Sequence, residues 1–161
     1  MLEINGRKGL KVFFIEDDPE IYLEDKSLYG MTQEQVKEAL KKPFILMKDL
    51  EICYEWNGKG GYFCIPKGYD WNGANIPAGA WLIIGQPKEP RVRLASMVHD
   101  YMCEHHDVVD NDRYLSTAIF EALCRQFGRF NNFKCWAMFH SVDNFQKLFG
   151  KDLEGNKWKC N

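Results

Sequence analysis

The feature that most constrains this chain is a change of apolar spacing along it. Before residue 67 the apolar residues come in short alternating runs. After the breaker run Gly85-Gln-Pro-Lys-Glu-Pro90 they recur at three and four residues. Alternation puts one side of a strand in the core, and the three-four spacing does the same for a helix, so strands followed by helices predict an α+β fold with a small antiparallel sheet in the N-terminal half and about three helices in the C-terminal half.

Leu10 to Ile15, Phe44 to Met47 and Leu50 to Trp56 read as strands. Asn57-Gly-Lys-Gly-Gly61 supplies a hairpin turn into Tyr62 to Pro66. Thr32-Gln-Glu-Gln35 has capping-box form and predicts a short helix ending before Pro43. The run Glu16 to Asp25 holds six acids and no base, which reads as a solvated loop. Gly68 to Pro77 is polar and turn-forming around Trp71. Helices follow over Arg91 to about Glu104, from a cap at Asn111 or Asp112 to Gly128, and from a cap at Asn131 or Asn132 to Gly150. Residues 1–150 form one expected domain, and 151–161, without periodicity, a loosely held tail.

The length, 161 residues at 45% hydrophobic, suffices for one core. Twenty-one Lys and Arg against 23 Asp and Glu give a net charge of −2, which excludes the broad pull on phosphate of a nucleic-acid coat. Arg125, Arg129 and Lys134 do alternate with Phe127, Phe130, Phe133 and Trp136. Yet eight bases and eight acids cancel over 101–161, and these aromatics are expected to pack the turn between two helices. No apolar run reaches membrane-spanning length, and the opening residues lack the basic-then-apolar pattern of a secretory signal, so a soluble, unexported chain is expected.

Cysteines stand at 53, 64, 103, 124, 135 and 160, none in a C-x-x-C pair, so reduced thiols are expected. Cys53, Cys64, Cys124 and Cys135 lie in apolar runs and read as core.

Chemistry concentrates at His99-Asp100 and at Asn72-Gly-Ala-Asn75. If the helix ran on to His106, then His99, Cys103 and His106 would share a stripe able to offer two imidazoles and a thiolate to zinc. The H…HD…D pattern of metal phosphohydrolases is not met, because no histidine precedes His99. Ser96 lies one turn before the pair but outside any G-x-S-x-G motif. A structural alternative has Asp100 accepting backbone N–H groups from the 72–75 loop while His99 donates to a carbonyl.

Taken together, Ile65-Pro-Lys-Gly-Tyr-Asp-Trp-Asn-Gly-Ala-Asn-Ile-Pro77, Trp81, Ala95-Ser-Met-Val-His-Asp-Tyr101, Arg113 and Phe120-Glu-Ala-Leu123 resemble the phage-borne family called domain of unknown function 1353 over about residues 62–150. Gly68, Gly73, Ala74, Pro77, His99, Asp100, Tyr101, Arg113, Phe120 and Leu123 fit its pattern. Asn72 stands where that family has Asp, Asn75 where it has Ser, and Thr117 where it has Asp. Two lost carboxylates remove candidate metal ligands or bases and weigh against catalysis. The family brings no settled activity, and the resemblance implies context: a small soluble protein encoded in phage or prophage genomes, placed in the host bacterial cytoplasm or the virion. The first expectation is an accessory or virion-associated protein acting by binding, with Asn72, Asn75, Tyr101 and Arg113 as ligand or loop-lock residues. A metal-dependent hydrolase using His99 and Asp100, a small-molecule binder, and an inhibitor of a host protein are the other expectations.

Overall fold

The computed structural model describes residues 1–73 and 90–149. Strands β1 (Leu2–Asn5), β2 (Lys11–Phe14), β5 (Leu50–Trp56) and β6 (Lys59–Ile65) form an antiparallel sheet in the order β1-β2-β5-β6. A second antiparallel sheet joins β3 (Leu23–Asp25), β4 (Phe44–Leu46) and β7 (Asp70–Trp71) in the order β3-β4-β7. Helix α1 spans Gln33–Ala39, and α2 (Arg93–Glu104), α3 (Arg113–Gly128) and α4 (Asn132–Phe149) make up the C-terminal half. The fold class is α+β, as the change of spacing predicts.

Alternation sets the sheet's faces. Leu50, Ile52 and Tyr54 of β5 are buried with Val12, Phe14, Phe63 and Ile65, whereas Glu51, Cys53 and Glu55 face away. Cys53 and Cys64 are therefore half-buried on the outer face, unlike the fully buried Cys124 and Cys135; only the latter pair meets the core expectation. The Asn57-Gly58 turn has φ of +52° and +74°, the left-handed pair that a two-residue hairpin requires. At Gly61 a Cβ would come within 2.3 Å of the Tyr54 ring, so the strand admits no side chain beside that tyrosine.

Helix α3 is buried on most of its circumference and lies between α2 and α4, with residues such as Ala118, Ile119, Ala122 and Leu123 in one core cluster with the sheet. Thr32 caps α1 through the reciprocal bonds of a capping box, and Asp112 caps α3 by accepting from the Leu115 N–H at 3.0 Å.

Two sequence expectations change. The acidic run is not simply a loop: Pro19–Tyr22 forms a 3-10 turn and Leu23–Asp25 is strand β3, because Tyr22 and Leu23 pack on the core while the acids point outward. Strand β1, which pairs along β2, was not expected; its two core residues, Leu2 and Ile4, are too few to show a period. No helix among the described residues is long and apolar enough to cross a membrane. Asn75, Trp81 and the 151–161 tail lie outside the described residues.

Candidate functional site

Helix α2 carries His99 and Asp100, and strand β7 leads the turn-forming segment to it. Gly68, at φ +90°, turns the chain into Tyr69, and the Leu46 N–H donates to the Tyr69 carbonyl at 2.9 Å. Trp71 is 1% exposed, and its indole N–H donates to Ser96 Oγ at 3.2 Å. The Ser96 hydroxyl in turn donates to the Arg93 carbonyl at 2.8 Å. The polar lock between segment and helix is thus made by Trp71 and Ser96. Asn72, just past the end of β7, is exposed, and among the described residues its side chain makes no bond to α2.

His99 is 8% exposed. Its ring lies 5.1 Å from that of Phe120, and its nitrogens are 3.7 and 3.8 Å from Cys103 Sγ, which also accepts from Gln146 Nε2 of α4 at 3.4 Å. Burial lowers the imidazole's proton affinity to a pKa of about 4. Burial also raises that of the Cys103 thiol, which keeps it protonated and unreactive as a free nucleophile.

Helix α2 ends at Glu104. His105 follows in non-helical geometry and His106 opens a 3-10 turn, so the stripe of His99, Cys103 and His106 loses its third member. The chain leaves the helix at His105, with φ −130° and ψ 71°, and Asp110, at φ +53°, then closes the 3-10 turn before α3. Among the described residues no group of three His, Cys, Asp or Glu side chains is placed to hold a metal ion.

Asp100 sits at the partly buried rim. Burial first, and the nearby Glu104 second, raise its carboxyl to a pKa of about 7, with Lys42 acting in the opposite sense. Tyr101 stacks on Phe63 at 6.0 Å and meets Tyr69 edge-on at 5.3 Å, so its ring joins α2 to both sheets. Beside this rim lies a depression of about 490 Å³ that includes Lys26, Lys42, Asp70 and Met31. Asp70 accepts from Lys26 Nζ at 2.6 Å and has Lys42 Nζ at 3.9 Å.

Arg113 does not join this cluster. It is 3% exposed, and its guanidinium pairs with Asp143 and donates to the Asp143 carbonyl at 3.1 Å, which ties α3 to α4. Thr117, where the family pattern has Asp, donates to the Arg113 carbonyl at 3.1 Å.

Sequence reading also misplaced two aromatics. Phe130 is buried in the core and Phe127 packs edge-on against Phe14 of β2, but Phe133 and Trp136 stack on each other at 6.2 Å on the outside of α4, 62% and 55% exposed. Their spacing of three marks a common face, and only the packing shows that the face is the outer one. Sequence reasoning missed a further pair altogether: Arg7 grips Glu121 of α3 through Nε at 3.0 Å and Nη2 at 2.8 Å, 114 residues away.

Comparison with curated proteins and with solved structures returns no match for this chain. The family model described as "Protein of unknown function (DUF1353)" matches residues 44–142, a span that takes in β4 to α4 and with them Trp71, Ser96, His99, Asp100 and Arg113. With well over half of its length matched, the chain belongs to the DUF1353 family.

Proposed function

We propose that this is a phage-encoded accessory or virion-associated protein that acts by binding, through a shallow polar surface at the rim of α2. The observation that carries this reading is the burial of His99. A general base or metal ligand must reach its substrate, whereas this imidazole faces Phe120 and the Cys103 thiol and resists protonation down to a pH of about 4. The neighbouring rim, with Asp100, Asp70 and Lys42 beside a depression of about 490 Å³, offers acceptor and donor groups for a small polar ligand or a phage or host protein. The phage setting rests on the motif resemblance.

Zinc titration by calorimetry, with wild type and His99→Phe, tests this. Binding predicts no saturable one-to-one zinc uptake that depends on His99, and a folded variant. Stoichiometric zinc lost in the variant would overturn it in favour of the metal-dependent hydrolase.

One observation supports hydrolysis without metal: the Asp100 carboxyl, near pKa 7, has the affinity expected of a general acid or base at neutral pH. Inhibition of a host protein draws some support from the exposed Phe133 and Trp136. Capture of a host protein by wild type but not by Trp136→Ser is its expected outcome.

A further inference from the structure

A second cleft, of about 350 Å³, lies between the tip of the β5–β6 hairpin and the start of α3. We propose that it binds a neutral saccharide of one or two rings. This inference uses none of the residues at the α2 rim and stands apart from the function proposed there.

The cleft's wall is aromatic and held from behind. Trp56 and Tyr114 stack with ring centroids 5.6 Å apart and planes 12° apart. The Trp56 indole N–H donates to the Lys8 carbonyl at 3.0 Å. The Tyr114 hydroxyl accepts from Arg7 Nη1 at 3.2 Å, the same guanidinium that Glu121 grips, and its ring meets Phe139 edge-on at 5.2 Å. A wall fixed by hydrogen bonds at both rings loses little freedom when a ligand settles on it.

Backbone strain collects at the same place. Five non-glycine residues among those described have positive φ, and four of them, Lys8, Asn57, Asp110 and Asn111, lie at or next to this cleft. Asn57 owes its φ to the hairpin turn and Asp110 to the turn before α3, and Asn and Asp tolerate that conformation; Lys8, at φ +50° in the β1–β2 turn, is the residue that tolerates it least. Strained residues persist where the surrounding structure fixes them, and they gather at ligand sites.

The polar lining selects the ligand class. Lys8, Lys59, Asp110 and Asp112 line the cleft, so two positive and two negative charges, one of the latter already capping α3, leave it without a net preference for an ion. Among the described residues Lys8, Lys59 and Asp110 form no ion pair. Ammonium groups donate and carboxylates accept, and a sugar hydroxyl needs both. Because the two rings stack on each other, one outer ring face is left for the C–H face of a single pyranose. A phosphate would meet two carboxylates. A nucleobase would find one aromatic wall, since the two rings stack on each other instead of forming a slot. A volume of about 350 Å³ is at the lower end of ligand pockets and matches one or two sugar rings.

The test uses the 15N-labelled full chain, with the Trp56 indole N–H signal as reporter. Chitotriose and maltotriose are titrated in parallel with adenosine and inorganic phosphate. The expected result is a saturable shift of the Trp56 signal by at least one of the two saccharides, with Kd on the order of 1 mM. Asp110→Asn, which keeps a residue tolerant of positive φ, and Lys59→Ala should each weaken binding by about fivefold or more while melting as wild type does. No shift with either saccharide up to about 10 mM would overturn the proposal. So would an unchanged affinity in both variants, or a response to adenosine or phosphate at lower concentration than to the saccharides.

Discussion

Asp100 and His99 are adjacent in sequence, and burial pulls their proton affinities in opposite directions, which gives each a distinct pH signature. Asp100 is raised from 3.8 to about 7, so the folded chain holds that proton more tightly than the unfolded one. Its contribution to stability is complete below about pH 4 and is lost as pH rises through about 7. Asp100→Asn should therefore gain on wild type as pH goes from 5 to 8, measured as the difference in urea midpoints. His99 is lowered from 6.5 to about 4, so its contribution is present above pH 6.5 and is lost as pH falls through about 4. His99→Phe should lose less midpoint than wild type between pH 7 and pH 5. The sequence shows the pair itself but not these signs. The apolar spacing of α2 places His99 toward the core, while the proton affinity of Asp100 also depends on Glu104, one turn further along α2, and on Lys42, which lies between α1 and β4.

Among the elements, the capping box of α1, the Asn57-Gly58 turn and the Asp112 cap of α3 all follow from local residue order, because each motif satisfies its own backbone groups within four residues. The Tyr54–Gly61 pair is less local. The hairpin register sets these residues opposite one another, and the ring then covers the glycine. Gly61→Ala should cost about 1–3 kcal/mol by overpacking, read by thermal or chemical denaturation. Arg7 and Glu121 join the β1–β2 turn to the middle of α3. Since breaking a buried pair strands the remaining charge, Glu121→Leu should cost about 3 kcal/mol, with the loss reduced in the double variant that also carries Arg7→Met. Nothing in the sequence links positions 7 and 121, and the end of α2 was equally hidden: only the structure shows His105 leaving helical geometry, so that α2 stops short of His106.

Over the whole molecule, one core cluster includes residues of both sheets and of α2, α3 and α4. Trp71 is the clearest bridge: it packs on Phe44 at 5.6 Å within the second sheet and bonds Ser96 on α2. Trp71→Ala should cost about 3–5 kcal/mol, and far-UV and near-UV circular dichroism should lose their signals in a single shared transition, because no described layer has a separate core. Two transitions would show that the strand half and the helical half fold independently. The sequence by itself determined the α+β class, the strand-then-helix order, the principal caps and turns and the family, since each is written in spacing or in contiguous motifs. The tertiary structure decided that Trp71 bonds the segment to α2, that Arg113 serves α4, that Phe133 and Trp136 face outward, and that Trp56 and Tyr114 form one wall. Each of those depends on residues far apart in the chain, whose meeting is set by how the layers pack and by which buried polar groups must find partners.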